Sequence, residues 1–299
     1  MTKKIRLFGY PVKKSLAPAV QNGLWRLRGL DFEYILLEST NIDEALTELY
    51  KEEVAGLAVT MPHKVVFMEH VDKVSNEAAI IGSINTVYKR KPEGTKKPVS
   101  IGTNTDWVGV REALVEYAPS LMQESPGKKG MVIGAGGAAR AAIYSLWESF
   151  QMDEIYLVNR IQEEMDQVVQ HFKPIVKIRP VTSVKEAQNL ETPLIIISTI
   201  PDIEPKSQAE KDVFDISTQF LTTNTPGCLL EMCYLPTTNT RMARIAETRK
   251  WQVVPGTEVM IHQGIAQQNY WAELNEKPTP QVVDKARSIV YEKMKTSNL

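Results

Sequence analysis

The sequence predicts an α/β protein built from two domains. Short apolar runs alternate with longer amphipathic stretches, as expected of strands and helices that alternate in βαβ units. The chain has 299 residues, and the usual domain size of about 100–200 residues favours two domains. Near the middle of the chain, an apolar run leads through a glycine-rich turn into a helical stretch, which is the setting of a βα unit.

The apolar runs bounded by turn residues are the predicted strands, and the amphipathic stretches are the predicted helices. The strands are Ile5–Gly9, Phe32–Leu37, Gly56–Thr60, Asn85–Tyr88, Met131–Gly134, Ile155–Val158, Leu194–Ser198 and Leu229–Met232. The helices include Ala17–Arg28, Ile42–Tyr50, Trp107–Tyr117, Ala138–Glu148, Val259–Trp271 and Pro278–Lys295. Because helices separate the strands, the sheets are expected to be parallel.

Two loop-rich segments interrupt this alternation. Residues 117–129 contain the run Ser125–Gly127, which predicts a loop before a new strand. A domain boundary is therefore expected near Asp106–Trp107 or within this loop. Residues 201–225 are polar and long for a βα connection, so they are interpreted as an excursion from the fold.

Composition and charge argue against several classes of function. The net charge of −1 provides no overall positive field for nucleic acid, and the basic residues of 89–97 are interpreted as a solvated turn. No run approaches a membrane span or the apolar part of a signal peptide, so a cytoplasmic location without a membrane partner is expected. Cys228 and Cys233 have neither redox nor metal-site spacing. The scattered histidines also lack metal-ligand spacing, so no metal is expected, and His63 is interpreted as surface at a helix start.

The turn at Gly134–Ala139 follows an apolar strand and opens a helix, and it matches the G-x-G-x-x-[GA] pattern of dinucleotide-binding units. Gly134 permits the tight turn, Gly136 lets the backbone approach a pyrophosphate, and Ala139 allows close packing of helix on strand. The helix N-terminus offers N–H groups to the anion. The pattern favours dinucleotide binding, and the alternative is a glycine-rich loop without a ligand.

The strand after this turn ends at Asn159–Arg160, where an NAD-binding protein would carry an acidic residue for the ribose hydroxyls. Arg160 could instead face a 2′-phosphate or stack on adenine. Glu163 and Glu164 follow, and their charge disfavours a phosphate nearby. The residues alone therefore leave NAD and NADP open.

Four polar clusters that we place at strand ends lie in the N-terminal third of the chain. They are Lys14–Ser15, Thr60–Lys64, Gly82–Thr86 and Gly102–Asp106. Ligands of open α/β sheets bind beyond the carboxyl ends of the strands. A lysine with an aspartate can hold a hydroxyl proton and pass it on, as hydride removal from an alcohol carbon requires. The alternative for each cluster is turn chemistry, or, for Asp106, a cap on the helix that starts at Trp107.

In order and spacing, these clusters resemble the shikimate dehydrogenase family over nearly the whole chain. The matching motifs are Gly9–Pro18, Val59–Lys64, Ile81–Thr86, Gly102–Asp106, Gly134–Gly137, Asn159–Arg160, Tyr234–Thr240 and Gly256–Gly264. The segments Ser198–Pro201 and Glu231–Tyr234 are similar to the fungal branch, which includes quinate dehydrogenases and the dehydrogenase part of the pentafunctional aromatic-pathway polypeptide.

The resemblance implies an N-terminal substrate-binding domain over residues 1–106, with residues 257–299 packing back on it through a C-terminal helix. It implies a Rossmann-type NAD(P)-binding domain over residues 107–256. Lys64 and Asp106 would flank the oxidised hydroxyl, with Lys64 relaying its proton as hydride leaves for C4 of the nicotinamide. The implied substrate contacts are Ser15 for the carboxylate, and Thr60, Asn85, Tyr234 and Gln263. The implied cofactor contacts are Gly134, Gly136, Gly137, Ala138, Asn159, Arg160, Thr199, Gly256 and Met260.

Several positions depart from the family pattern. Ala17 and Ala58 replace a serine and an asparagine, and each lost contact to a matched substrate group costs about 1–3 kcal/mol. Ala17 also leaves room near the carboxylate-bearing carbon, where quinate carries an extra hydroxyl, so quinate is expected among the substrates. Glu163 and Glu164 stand where members that prefer NADP usually carry a second basic residue, which favours NAD. Gln267 replaces a common aromatic residue, and this departure predicts nothing by itself.

The predicted function is NAD(P)-dependent, reversible oxidation of a ring hydroxyl of quinate and/or shikimate to the 3-dehydro ketone, by a monomer or homodimer. One alternative is a weakly active or inactive quinate- or shikimate-binding sensor on the same scaffold, suggested by Ala17 and Ala58. Another is a dehydrogenase for a different cyclic hydroxy acid, such as aminoshikimate. A sensor has little reason to retain both Lys64 and Asp106, which favours the enzyme.

Overall fold

The computed structural model describes residues 1–95, 97–223 and 225–296, which form two compact units. The first unit comprises Met1–Gly109 and the chain from Met260 onward, and the second is Val110–Val259. Lys96, in the predicted basic turn, and residues 297–299, in the predicted C-terminal segment, lie outside the described residues. The assignment of substrate and cofactor roles to the ranges 1–106, 107–256 and 257–299 stays a prediction.

The first unit is a six-stranded sheet with helices on its connections. Its elements, up to the helix that leads into the second unit, are β1 (Lys3–Gly9), α1 (Ala17–Leu27), β2 (Phe32–Glu38), α2 (Ile42–Leu49), β3 (Val54–Val59), a 3₁₀ helix (Val66–His70), β4 (Lys73–Val74), α3 (Asn76–Ile81), β5 (Thr86–Arg90), β6 (Val99–Thr103) and α4 (Asp106–Tyr117). The strand order is β2-β1-β3-β5-β6-β4.

The expectation of wholly parallel sheets is wrong for β5. It runs antiparallel to both β3 and β6, whereas β1 is parallel to β2 and β3. The physical reason is the short connection from Arg90 to Val99, because a parallel neighbour would need a longer crossover. In consequence the start of β5 lies at the same edge of the sheet as the ends of β3 and β6.

The second unit is a six-stranded sheet in which all paired strands are parallel. Its elements are α5 (Leu121–Glu124), β7 (Lys129–Ile133), α6 (Gly137–Glu148), β8 (Glu154–Val158), α7 (Gln162–Phe172), β9 (Lys177–Pro180), α8 (Val184–Ala187), β10 (Ile195–Ser198), α9 (Gln208–Leu221), β11 (Cys228–Glu231), α10 (Arg241–Thr248) and β12 (Gln252–Pro255). The strand order is β12-β11-β10-β7-β8-β9, so the direction of winding reverses beside β7. This is the Rossmann arrangement, and ligands bind at such a reversal.

The strands of this sheet are apolar on both faces. Val132 of β7 packs into one core cluster, and its neighbours Met131 and Ile133 pack into another. The alternation follows because successive side chains of a strand point to opposite faces. A sheet covered by helices on both faces therefore requires continuous apolar runs, and these runs made the strands predictable.

The interpretation of residues 201–225 as an excursion is wrong, because the segment contains the 14-residue helix α9. Ser207 and Glu210 form a capping box at its start. Val213, Ile216 and Phe220 give the helix a buried side spaced at three and four residues. The polar residues between them obscured this pattern. Asn224, within the same stretch, lies outside the described residues.

Two helices complete the chain, α11 (Gly256–Trp271) and α12 (Pro280–Thr296). Helix α12 packs on α1 in the first unit, as the predicted C-terminal helix should. Gly23 of α1 makes this approach possible, because a Cβ atom there would lie 2.3 Å from Cδ1 of Ile289. Among the helices of the described chain, none combines the length and apolarity needed to cross a bilayer.

Candidate active site

Lys64 and Asp106 form an ion pair at the polar edge of the first unit. The Lys64 Nζ atom donates to Asp106 Oδ2 at 2.6 Å. The two side chains are only 16% and 7% exposed. Lys64 lies in the segment after β3 and Asp106 begins α4, so two separate elements deliver the opposite charges. A pair this sheltered from water is weakly screened, and removing one partner would leave the other charge unpaired.

The second carboxylate oxygen of Asp106 is held by Asn85. Asn85 Nδ2 donates to Asp106 Oδ1 at 2.7 Å, while the Asp106 backbone N–H donates to Asn104 Oδ1 at 2.9 Å. Asn104 therefore takes up the first amide of the helix, and the Asp106 carboxylate faces Lys64 and Asn85 instead. The carboxylate is orientated from both sides.

Asn85 is the hub of a buried polar network. Its Oδ1 accepts from the Thr105 backbone N–H at 2.8 Å, which settles the orientation of its amide. Its Nδ2 then faces acceptors on Thr105, Asp106 and Gln263. Asn85 immediately precedes β5, and because β5 is antiparallel, this position lies at the same edge as Lys64 and Asp106. Helix α11 contributes Gln263 to the network.

Gln267 holds the backbone of Asn85 in place, although no role was predicted for this residue from the sequence. Its Nε2 atom donates to the Asn85 carbonyl at 3.2 Å and to Thr86 Oγ1 at 3.0 Å. Thr86 Oγ1 in turn donates to Asn85 Oδ1 at 2.7 Å. Gln263 and Gln267 are four residues apart on α11 and share one face of the helix. This spacing is the sequence signal that could have identified Gln267.

Ser15 and Thr60 follow β1 and β3, which are neighbouring parallel strands. Their side chains therefore lie at the same carboxyl edge of the sheet as the ion pair. The Ser15 Oγ atom accepts the backbone N–H of Ala17 at 3.2 Å. The first unit thus gathers six of the predicted substrate and catalytic residues at one edge: Ser15, Thr60, Lys64, Asn85, Asp106 and Gln263.

Ala17 and Ala58, the two departures from the family pattern, belong to one apolar cluster. They are 9% and 3% exposed, and the cluster also contains Leu7, Tyr34 and Trp271. The polar groups that the family usually carries at these two positions are therefore replaced by a continuous apolar surrounding.

The interpretation of His63 as a surface residue is wrong. His63 is 6% exposed, and its ring stacks on Phe8 with 4.3 Å between the ring centroids. Among the described residues, its Nε2 atom has no hydrogen-bond partner. Because strand β1 passes beside the segment after β3, the ring is covered by a neighbour that is distant in sequence.

The glycine-rich turn of the second unit joins β7 to α6, beside the reversal of strand order. Gly134 adopts φ of +110°, and a Cβ atom there would lie 2.3 Å from Thr199 Oγ1. A Cβ atom on Gly136, the N-cap of α6, would meet nothing within 4 Å. Gly136 therefore leaves open space in front of the helix N-terminus, and Gly137 and Ala138 begin the helix. This arrangement fits the pyrophosphate of a dinucleotide.

Two further predicted cofactor residues follow strand β8, and both are hydrogen-bonded to glutamates. Asn159 Nδ2 donates to Glu164 Oε2 at 2.8 Å, and Arg160 Nη1 donates to Glu210 Oε1 at 2.7 Å. Glu210 was not predicted as a site residue, because it lies on α9, fifty positions from Arg160.

The half-buried Tyr234 lies in the second unit, in the segment between β11 and α10. Glu231, at the end of β11, holds both ends of this segment: its carboxylate accepts from the Cys233 backbone N–H and from Thr240 Oγ1, each at 3.1 Å. Burial raises the pKa of Glu231 to about 7. Gly256 allows a close crossing, because a Cβ atom there would lie 2.2 Å from the Met232 carbonyl oxygen.

Comparison with known proteins identifies the family. Residues 7–87 match the model of the shikimate dehydrogenase substrate binding domain. The quinate dehydrogenase of Emericella nidulans is 33% identical over 303 residues, which cover 95% of this chain and 92% of that protein. The chain belongs to the shikimate/quinate dehydrogenase family. It is an oxidoreductase of the NAD(P)-dependent class, and small molecules are the substrates of this family.

Solved structures of the family share the fold. The dehydroquinate dehydratase and shikimate dehydrogenase of S. pombe AroM is 30% identical with a TM-score of 0.76, covering 96% of this chain. This chain spans 53% of that two-enzyme protein. The shikimate 5-dehydrogenase of Thermus thermophilus, solved with NADP(H) and shikimate, is 25% identical with a TM-score of 0.73 and covers 96% of this chain and 99% of its own.

Proposed function

We propose that this dehydrogenase reversibly oxidises a ring hydroxyl of quinate and/or shikimate to the 3-dehydro ketone. The observation that carries the proposal is the sheltered Lys64–Asp106 pair, with 2.6 Å between its charged atoms. An alcohol gives up its proton readily only to a group held within hydrogen-bond reach, and in this proposal Lys64 is that group.

In this proposal each polar residue at the edge of the first unit has a separate task. The Lys64 amine accepts the proton of the reacting hydroxyl as the carbon–hydrogen bond breaks, and it then releases a proton to solvent. The hydride acceptor is C4 of the nicotinamide, which NAD or NADP supplies when bound. Asp106 holds the neighbouring hydroxyl and keeps Lys64 in position.

The remaining predicted contacts position the substrate and the cofactor. Asn85 orientates Asp106, and Ser15 binds the substrate carboxylate. Thr60, Gln263 and Tyr234 supply further substrate contacts. The turn at Gly134–Ala138, together with Asn159, Arg160, Thr199, Gly256 and Met260, binds the dinucleotide. These roles rest on the match between family motifs and the geometry described above.

The alanines at positions 17 and 58 favour quinate over shikimate as the substrate. Shikimate and quinate share the ring hydroxyls that Lys64 and Asp106 would contact, whereas quinate has an additional hydroxyl on the carboxylate-bearing carbon. Ala17 leaves more space than serine there, and with Ala58 it removes two hydrogen-bonding groups expected for shikimate. The similarity to a fungal quinate dehydrogenase supports the same preference.

For the cofactor, we infer NAD rather than NADP. That the protein is a monomer or homodimer, and that it is located in the cytoplasm, stay predictions.

A two-by-two assay tests the proposal. The purified protein is incubated at alkaline pH with quinate or shikimate and with NAD or NADP, and absorbance is followed at 340 nm. We expect the fastest rise with quinate and NAD. No rise with any pair would contradict the proposal for these substrates.

A non-catalytic sensor is the second candidate, and the two alanines are the observation that favours it. Such a protein would bind quinate or shikimate in a calorimeter and give no absorbance change with either nucleotide. A dehydrogenase for another cyclic hydroxy acid, such as aminoshikimate, would instead turn over that compound in a substrate panel. The retained Lys64–Asp106 pair argues for an enzyme.

A further inference from the structure

The end of strand β8 carries an arginine where the sequence of an NAD-binding unit would carry an acid. In the Rossmann arrangement this position faces the adenosine ribose: an acidic residue binds the 2′-hydroxyl of NAD, and an arginine accommodates the 2′-phosphate of NADP. Taken by itself, without the glutamates that follow it, Arg160 would therefore favour NADP. The contacts of its side chain give a different result.

Arg160 is already engaged by a carboxylate that comes from another element. Its Nη1 atom lies 2.7 Å from Glu210 Oε1, and Glu210 belongs to the first turn of α9. The Arg160 side chain is 55% exposed, whereas the Glu210 side chain is only 19% exposed. Arg160 is thus the more solvent-exposed partner, and Glu210 is the sheltered one.

The position and charge of Glu210 are set by its own helix. Its second oxygen, Oε2, accepts the backbone N–H groups of Lys206 and Ser207, each at 3.0 Å. The hydrogen bond from the Ser207 backbone, followed by that from Lys206, lowers the pKa of Glu210 to about 2. The carboxylate is therefore ionised at neutral pH and cannot turn away without breaking the capping box.

Two other carboxylates near the end of β8 act in the same direction as Glu210. Glu164 accepts from Asn159 Nδ2 at 2.8 Å, and Glu163 precedes it in the first turn of α7. Lys206, on the segment before α9, is a neighbouring cation that would act in the opposite direction, but its side chain is exposed and its charge is screened by solvent. A 2′-phosphate here would have to displace Glu210 from Arg160 and then remain close to its negative charge.

We propose that Glu210 determines the cofactor preference of this protein, by occupying Arg160 and supplying from α9 the negative charge that β8 lacks. The protein then discriminates against a 2′-phosphate and uses NAD. The inference rests on the proposed dehydrogenase function, because it assigns a residue to the choice between the two cofactors.

Glu210→Gln tests the inference with little damage to the fold, because glutamine also completes a capping box while removing the charge. Asp212→Asn is the matched control: it removes one carboxylate from the same helix, at an exposed position whose carboxylate accepts from Gln208 and not from Arg160. Calorimetry measures the Kd of NAD, NADP, ADP and 2′,5′-ADP for each protein. The same proteins are assayed for kcat/KM with both cofactors.

In Glu210→Gln we expect the preference for the 2′-phosphorylated nucleotides to rise about tenfold, the lower range for a hydrogen bond to a charged group. Asp212→Asn should change the ratio by less than about twofold, as for an exposed charge. In Arg160→Ala/Glu210→Gln the gain should be lost, because the freed arginine is the group that binds the phosphate.

Arg160→Ala alone gives a result that does not depend on the stability of α9. Because Arg160 is engaged, its removal should weaken NADP binding by less than about threefold, as for a surface ion pair. An unchanged ratio in Glu210→Gln, a gain that survives in the double variant, or a tenfold loss of NADP binding in Arg160→Ala would each overturn the inference. Failure of the unmodified protein to bind any nucleotide would instead contradict the proposed function.

Discussion

The Lys64 ammonium owes its position to three side chains that come from different parts of the chain. Asp106 contacts it directly, Asn85 holds the far oxygen of Asp106, and Gln267 holds the Asn85 carbonyl. Burying these polar groups costs free energy unless each is paired, and the network pairs them with one another. Lys64 is thereby placed before any substrate arrives, and such preorganisation would favour the proton transfer that we propose for it.

Lys64→Ala tests the proposed role of the Lys64 side chain in proton transfer. The change should lower kcat by roughly 10²–10⁴-fold, the contribution of a positioned proton-transfer group. Steady-state kinetics with the preferred substrate and cofactor provides the measurement. Lys285→Ala, at an exposed position on α12, is the control and should retain normal kcat. A near-normal kcat in a folded Lys64→Ala protein would remove Lys64 from the chemistry.

The role of a single residue could be predicted where the residue is part of a recognisable sequence motif. Lys64 and Asp106 stand within recognisable motifs, so their pairing could be expected before the structure was known. Gln267 and Glu210 were missed because their partners Asn85 and Arg160 lie 182 and 50 positions away in sequence. Contacts over such distances are set by the strand order and leave no local pattern.

At the scale of elements, apolar runs identified most interior strands but missed β6, and they missed the short edge strands β4, β9 and β12. Strands β7, β8 and β10 are buried on both faces and therefore stand out in the sequence. Strands β9 and β12 are four-residue strands at the two edges of their sheet, and their exposed positions interrupt the pattern. Helix α9 was missed because its polar side is wide.

The segment between β11 and α10 is an element whose anchoring should depend on pH. Burial raises the pKa of Glu231 to about 7, compared with about 4.3 for an unperturbed glutamate in the unfolded chain. Between these values the folded state binds more protons than the unfolded state, so the free energy of unfolding falls as pH rises. The decrease in the free energy of unfolding begins above the unfolded pKa of about 4.3. It is complete once the pH has passed the folded pKa of about 7.

Glu231→Gln removes this titration. We expect the melting temperature of the variant, relative to the unmodified protein, to rise between about pH 5 and pH 8, because glutamine has no proton to lose. Thermal unfolding across that range provides the measurement. Glu204→Gln, at an exposed position, is the control and should show no such trend. A pH-independent difference for Glu231→Gln would contradict the assigned titration.

At the scale of the whole molecule, the two six-stranded sheets differ in the direction of their strands. The second sheet is wholly parallel and could be predicted from the glycine-rich turn in its strand–helix context. The first contains the antiparallel strand β5, whose direction depends on a short connection that the apolar pattern does not show. The exception matters for function, because reversing β5 brings Asn85 to the edge where Lys64 and Asp106 lie.

A substitution at Gly136 can test the proposed cofactor binding without disturbing the fold. A Cβ atom on Gly136 meets nothing within 4 Å, so Gly136→Ala should fold with a nearly unchanged melting temperature. Its side chain would, however, occupy the space into which a pyrophosphate approaches. NAD at a hundred times its Kd should stabilise the unmodified protein by about 2.7 kcal/mol, and the variant should lose most of this gain. Thermal unfolding with and without NAD measures both effects, and an equal NAD-dependent rise in the two proteins would place the dinucleotide elsewhere.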